Sequence, residues 1–599
     1  MPWVHDLISG PPCSVPRASP EMLAALRCKR LPAAALVRQQ NRQQQHGQGQ
    51  GQRRCLAAAT AMSMTPRAGS HAAPSRRPSL LREPKSARRQ GDIGSLRKEL
   101  YNLQNKPRQQ GAKRKVIDVA KALPAAAASA DCVRELADVC RLLAKAQEPQ
   151  RRNTGRAWKD AALGRSLDLL RAPTEVLEPR TLASLAHTLT LLQVQFTDRD
   201  NELVDLLGQH IASSAEDALS HRDSTAVSER WDQRSVAMAM QALAKLSVRH
   251  DPALCALAGL VPQLEPSLTP RCTTSILWAL ATLNCTEEPY RMAADQLSRR
   301  LTANVSDGEG GWTEARTVVT AVWSLTVLDK LSAPAVRALF AVLTAAEKRG
   351  EFKASQGNIP LLCQLHQIFL AVELGHLVEP QQKQLGAPAA ARRPRAGPPA
   401  MARPPRLGTR SSRARARRST RARQRSKAHH QQVQSAVVIP DRWVERCRKA
   451  WRGTTRAVSQ SSPHSSPAAE VERALALARP EAQVKSEQLL PDCGYSIDVL
   501  LPDQKVVVEH DGKVHYCRHG PWEVQTDRLG AGQRKLGRTA LKQRQIESFG
   551  WRMVSVAWWE WEALRTEGKG AEVRWLARET RGGQGVGGDA EKRSSSEAR

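Results

Sequence analysis

The sequence predicts a multidomain protein: an α-helical repeat solenoid, then a small α/β module, with disordered basic segments around them. Three features carry this reading. A 13-residue pattern that opens on Arg and closes on Leu recurs between Arg180 and Leu328. Apolar, β-branched runs flank one amphipathic helix between Ser496 and Leu564. Long blocks near the N-terminus and over 386–432 are rich in Arg and almost free of acid. The net charge of +33 is concentrated in blocks, which points to a polyanionic partner and says nothing about fold.

The repeats read RTLASLAHTLTLL from Arg180, RSVAMAMQALAKL from Arg234, RCTTSILWALATL from Arg271 and RTVVTAVWSLTVL from Arg316. Leu at the tenth and thirteenth positions (Leu189/Leu192, Leu243/Leu246, Leu280/Leu283, Leu325/Leu328), with apolar residues one turn earlier, makes a helical stripe. The starts lie 37 to 54 residues apart, and Pro262, Pro266, Pro270 and Pro289 fall between helices as breakers. Such a period implies stacked helical hairpins whose neighbours bury each other's apolar faces. Cys132–Lys145 and Ile359–Leu374 read as degenerate end repeats, so the region spans 95–378. At the eighth position stand His187, Gln241, Trp278 and Trp323. These either read successive bases or fill the hairpin core, and the apolar neighbours of the two tryptophans favour core. The opening Arg234, Arg271 and Arg316, together with Arg180, are the better RNA candidates: along one face they make a phosphate-tracking stripe. Their bland alternative is to start helices and pair with nearby acids.

In the terminal module Ile497–Leu501 reads as a strand, Pro502-Asp503-Gln504 as a turn and Lys505–Glu509 as a second strand. Asp511-Gly512 ends it. Arg538–Phe549 places Leu541, Gln545 and Ile546 on one helical face and Lys542 and Arg544 on another, with closure at Gly550. Trp551–Ala557 is a further strand and Glu560–Leu564 starts a last helix. Asp498 lies inside an apolar strand, and Glu509 and Asp511 lie at the end of the next. Pairing those strands brings carboxylates to one edge, a layout able to hold a divalent metal.

The run IDVLLPDQKVVVEHDGKVHY, followed by ALKQRQIESFGWRMVSVAWWEW, closely resembles the RAP domain, an RNA-associated module of organellar proteins. The matching residues are Asp498, Glu509-His510-Asp511-Gly512, His515-Tyr516, Thr539 with Lys542, Gly550-Trp551 and Trp559-Glu560-Trp561. The resemblance covers about a tenth of the chain and implies a restriction-endonuclease-like fold over 468–581. Two departures stand out: Lys513 occupies a place where the family often has Pro, and the loop before Arg538 is long and basic. The helical array resembles the repeats of octotricopeptide-type and FAST-kinase-like proteins, which carry a RAP domain after such helices.

Residues 1–80 read as an organellar transit segment. No acid occurs between Glu21 and Glu83, arginines recur, and Met22–Val37 suits a basic amphipathic helix without the apolar core of a secretory signal. A disordered RNA-binding arm is the alternative. The mitochondrial matrix is the first expectation and the plastid stroma the second. Gly386–Gln432 cannot bury a core and reads as a disordered linker, either an Arg-rich RNA tether or a plain spacer. Residues 582–599 are expected to fray. The 12 cysteines show no CxxC pair, which argues against a disulfide framework or zinc site and suits a reducing compartment. No apolar run reaches the ~18 residues of a membrane span.

Three functions compete. The first is an organellar RNA-binding factor for RNA processing, mRNA stability or translation, with no cofactor and single-stranded transcripts as partner. Its terminal module then contacts RNA through Lys513, His515, Tyr516, Arg538, Lys542 and Arg544, with Tyr516 as a stacking face at the rim. The second is a magnesium-dependent endoribonuclease of PD-(D/E)xK type. There Asp498, Glu509 and Asp511 are catalytic, Asp498 and Glu509 hold the metal, and Glu470 or Glu472 completes the set. Against it, the position two after the second acid, where that class has Lys, holds Asp511, so Lys513 or Lys542 has to substitute. The third is a protein–protein scaffold in an organellar ribonucleoprotein. No nucleophile elbow, Walker loop, dinucleotide fingerprint or kinase motif set is present.

Overall fold

A computed structural model describes residues 92–581, apart from 106–111, 147–155, 172–175, 221–229, 307–311, 353–357, 379–437, 462–465, 519–532 and a few single positions. The expected transit segment 1–80, the linker 386–432, the tail 582–599 and most of the basic loop before Arg538 therefore lie outside the described residues.

The helical region runs α1 Ile93–Asn105, α2 Ala112–Ala128, α3 Val133–Ala146, α4 Arg156–Arg171, α5 Pro179–Leu192, α6 Asp198–Ser220, α7 Gln233–Lys245, α8 Asp251–Leu264, α9 Pro270–Thr282, α10 Tyr290–Ser306, α11 Ala315–Val327, α12 Ala333–Lys348 and α13 Ile359–Glu373. Odd-numbered helices pack side by side in one layer and even-numbered helices in a second, each odd helix forming a hairpin with the even helix after it from α1 to α12. This is the helical-hairpin array that the Leu period implies. The four Arg-led repeats fall on α5, α7, α9 and α11, and the two degenerate ones on α3 and α13. Trp278 and Trp323 are buried, so the eighth position serves the core where it is aromatic.

The closing Leu has a second role on α7, α9, α11 and α13. Leu246, Leu283, Leu328 and Leu374 each donate a backbone N–H four residues back, and the next residue adopts left-handed φ: Ser247 57°, Asn284 53°, Asp329 58° and Gly375 75°. The N–H after that reaches the carbonyl five back, Val248 to Leu243, Cys285 to Leu280, Lys330 to Leu325 and His376 to Ala371. This is a Schellman termination repeated on successive odd helices. It ends them in register and lines up their carboxyl ends.

After the linker, α14 Asp441–Ser461 packs on α13 and extends the odd layer. The terminal module follows: α15 Ser466–Ala478, β1 Lys485–Leu489, β2 Ser496–Leu501, β3 Val506–Asp511, α16 Gly537–Ser548, β4 Arg552–Ala557, α17 Trp558–Thr566 and α18 Ala571–Arg581. The sheet order is β1-β2-β3-β4, antiparallel except for the parallel β3–β4 pair that α16 connects. Strand β1 and helix α18 are absent from the sequence expectation. The β1 residues KSEQL show no apolar alternation, and the strand exists through its pairing with β2. One sheet face packs Val499, Val506, Val508 and Val556 against Val471, Leu475, Trp561 and Leu576 from α15, α17 and α18. A second cluster joins Val507, Met553 and Ile546 to Leu370 of α13. Burial on both faces explains the unbroken Val506-Val507-Val508 run.

The module is seated on the carboxyl ends of the odd helices. Gly537 starts α16 so close to α9 and α11 that a Cβ there would overlap the Ala281 carbonyl oxygen and stand 2.6 Å from Val327 Cγ1. Arg544 Nη2 donates to the carbonyls of Thr326 (2.6 Å) and Val327 (3.2 Å) at the end of α11. A buried relay runs from Trp323 Nε1 to Gln367 Oε1 (2.7 Å), Gln367 Nε2 to Tyr495 Oη (3.0 Å), Tyr495 Oη to Gln545 Oε1 (2.7 Å) and Gln545 Nε2 to the Gln367 carbonyl (2.8 Å). Arg518 N–H donates to the Ser247 carbonyl, and Arg249 N–H donates to the Arg518 carbonyl.

Candidate nucleic-acid interface

The β2–β3 register, with Val499 opposite Val508, puts Asp498 opposite Glu509, so both project to one face. Asp511 follows two residues on, and Ser555 lies beside Glu509 on β4. Helix α16 lies over this face and supplies the countercharge. Lys542 Nζ is 2.6 Å from Glu509 Oε2, and Lys535, just before α16, is 3.0 Å from Asp511. Asp511 also accepts from Ser555 Oγ, and Asp498 Oδ2 accepts from the His510 backbone N–H at 2.8 Å. Burial lifts the Glu509 carboxyl to about 7; Lys542 pulls it back down, while Asp498 and Asp511 push it up.

Two of the three carboxylates are paired with lysine ammoniums and the third accepts a backbone N–H, while Glu509 Oε1 is buried without a hydrogen-bond partner. Among the described residues no group of three or more His, Cys, Asp or Glu is arranged to hold a metal. The helical acids do not complete the set. Glu470 accepts from Trp561 Nε1 (3.3 Å) and pairs with Arg565 (3.3 Å), and Glu472 bonds Ser486. Both serve packing around α15.

The carboxyl ends of β3 and β4 form a different surface. Gly512 leads into Lys513 and Val514, both exposed, and β4 runs straight into Trp558 and Trp559, both partly exposed. The Lys513 ammonium stands 4.1 Å over the Trp558 ring, and the two indoles meet edge to face at 5.8 Å. Behind them Tyr516 packs edge-on to Trp559 at 4.5 Å. Arg538 Nη2 reaches the Val514 carbonyl at 3.3 Å, and His515 Nδ1 lies 3.3 Å from Thr539 Oγ1. Burial holds the His515 imidazole below its usual pKa, with Asp511 opposing.

A third feature lies on the helical array, at the opposite ends of the odd helices from the seat of the module. Arg180, Arg234, Arg271 and Arg316 are each the second residue of an odd helix, and each is exposed. Arg134 takes the same place on α3 and is also exposed, bridging to Glu178 at 3.7 Å. Helices α3, α5, α7, α9 and α11 are successive neighbours, so these side chains line one edge of the array.

Residues 508–571 match the RAP domain. A stretch of 85 residues is 38% identical to a protein of Oryza sativa subsp. japonica named "RAP domain-containing protein, chloroplastic". It covers 14% of this chain and 11% of that relative. The terminal module is thus similar to a domain associated with RNA binding in organelles.

Within the terminal module the sequence-chosen residues divide. Lys513 and His515 stand together at the strand ends, with Arg538 beside them. Tyr516 differs from expectation: its ring is only 5% exposed and supports Trp559 instead of offering a face. Lys542 points into the acidic face and neutralises Glu509. Arg544 closes the end of α11 instead of presenting its guanidinium outward, a role that suits a cation at a helix carboxyl end. Trp558 and Trp559 are the aromatics left on the surface, because the chain turns from strand to helix at Ala557 and strand alternation stops there. Trp561 is buried. Arg134 was legible in Cys132–Lys145 had that repeat been aligned on its second helical residue.

Proposed function

We propose that this protein is an organellar RNA-binding factor acting in RNA processing, mRNA stability or translation, with the array over 95–378 selecting a single-stranded transcript and the RAP domain over 468–581 gripping it. The edge formed by Arg134, Arg180, Arg234, Arg271 and Arg316 carries this reading. A cation in the first helical turn opposes the macrodipole and gains nothing for the helix. Five neighbouring helices nevertheless place Arg there, at one register, exposed. A phosphate backbone laid along these helix N-termini meets both the guanidiniums and the partial positive charge of the helices. The Arg-rich linker 386–432 adds affinity without sequence choice. Residues 1–80 direct import, and the chloroplastic relative favours the plastid stroma over the mitochondrial matrix.

The test is a salt titration of RNA binding. Replacing all five arginines by Gln is expected to flatten the slope of log K against log salt by about 0.7 for each phosphate of a single strand that an arginine no longer neutralises. An unchanged slope removes the phosphate track. RNA incubated with magnesium and the wild-type chain is expected to stay intact, because the position two after Glu509, where PD-(D/E)xK nucleases have Lys, holds Asp511; cleavage lost in Asp498→Ala overturns that expectation.

A further inference from the structure

We propose that Trp558 and Trp559, with the ammonium of Lys513, form a stacking site for an unpaired nucleobase of the bound strand. The proposal deepens the RNA reading and rests on it.

The site lies at the carboxyl ends of the parallel β3–β4 pair, where α/β sheets leave room for ligands between the chains that exit the strands. Both strands end there with side chains that packing does not require. Lys513 and Val514 are exposed, Val514 to 58%, although an apolar side chain gains from cover. Two consecutive indoles open α17 and neither is fully covered, whereas Trp561 in the same helix is 3% exposed and donates its N–H to Glu470. The partly open rings are held still. Tyr516 meets Trp559 edge-on at 4.5 Å, and Trp558 and Trp559 are nearly perpendicular at 88°. A rigid aromatic wall costs little ordering entropy when a base arrives.

Charge selects the occupant. The Lys513 ammonium is held over the Trp558 ring, and Arg538 reaches the Val514 carbonyl. Rings with cations beside them suit a ligand that is flat, apolar on its faces and anionic along one edge. A nucleotide in a single strand meets all three requirements, the base on an indole and its phosphate beside Lys513. Of the acids nearby, Glu509 and Asp511 are buried and each is paired with a lysine, and the exposed Glu560 accepts from the Ala557 backbone N–H.

The experiment uses the full chain and a labelled single-stranded uridine oligomer, intact or with one abasic residue moved through successive positions. Wild-type affinity is expected to drop about 5- to 100-fold for the abasic position that faces the indoles. Trp558→Ala combined with Trp559→Ala is expected to weaken the intact oligomer by a similar factor and to make the abasic substitution silent, the signature of one shared interaction. Trp558→Phe with Trp559→Phe keeps ring faces, restores most of the affinity and guards against loss through unfolding. Lys513→Gln is expected to lower the salt slope by about 0.7, the share of one neutralised phosphate. If the alanine variant binds the intact oligomer as tightly as wild type while the five-arginine variant does not, the stacking site is overturned and the phosphate track stands; the indoles then face a protein partner. If wild type shows no salt-dependent RNA affinity, both readings fall.

Discussion

Glu509 is the residue whose surroundings are most sharply defined. It is 6% exposed, its Oε2 is 2.6 Å from the Lys542 ammonium, and burial raises its carboxyl to about 7. That lies above the ordinary range near 4.3 for an unfolded Glu. Between those two values the folded state holds more protons than the unfolded state, so the stability from this group is fully present below about pH 4.3 and is lost as pH rises through 7. Glu509→Gln removes the titration. Its melting temperature is expected to fall less than that of wild type between pH 5 and pH 8, a difference on the order of 1–3 kcal/mol. Lys542→Ala works the other way. At pH 8 it strands a buried carboxylate and is expected to cost about 3 kcal/mol, with the deficit shrinking at pH 5 as Glu509 takes up a proton. Thermal melts of both variants across that pH range check the pair. An RNA contact through Lys542 predicts instead a loss of affinity with unchanged melting.

At the scale of elements, α16 joins three jobs in twelve residues. It covers the acidic face with Lys542, closes α11 with Arg544 and seals the relay to Gln367 with Gln545. Its approach to α9 and α11 depends on the missing side chain of Gly537. Gly537→Ala forces a backbone shift and is expected to cost about 1–3 kcal/mol, read from urea unfolding. Gly512→Ala is the matched control: no atom lies within 4 Å of a Cβ built there, so its midpoint is expected to stay near wild type. The odd helices of the array end in a similarly constrained way. Asn284 adopts φ 53° at the end of α9, where a β-branched residue is strained. Asn284→Val is therefore expected to lower stability by about 1–2 kcal/mol, while Asn284→Gly is nearly neutral.

At the scale of the molecule, the array and the terminal module share one core. Ile546, Met553 and Val507 cluster with Leu370 of α13, and Trp451 of α14 donates its N–H to the Gly494 carbonyl at 2.9 Å and packs edge-on to Tyr495. A chain built this way is expected to melt the two parts together. The fragment 468–581 alone exposes the apolar face around Ile546 and leaves Gln545 and Tyr495 without Gln367. It is expected to be much less stable than the same residues in the intact chain, as read by hydrogen exchange in β3 and β4. Equal protection in the fragment and the full chain argues for an autonomous domain. Binding assays on the terminal module accordingly require the full chain.

The sequence by itself determined the helical-hairpin repeat, the small α/β module after it and the order of most elements in that module. Each of these rests on local periodicity: Leu three apart on one helical stripe, an unbroken Val run bounded by Pro and Gly, and Arg at one register. It also singled out Asp498, Glu509 and Asp511, because carboxylates at strand ends contradict the apolar pattern around them. Tertiary structure alone decided what these side chains meet. Strand β1 is polar and forms only by pairing with β2. Lys542 and Arg544 lie two residues apart on one helix, yet one turns to a buried carboxylate and the other to the end of α11, and nothing local separates them. Tyr516 is core and Trp559 partly exposed because the chain bends into α17 at Ala557, where strand alternation no longer applies. The seating of the terminal module on the odd helices joins residues more than a hundred positions apart, such as Gln367 and Tyr495, and no window of sequence contains both sides of that contact.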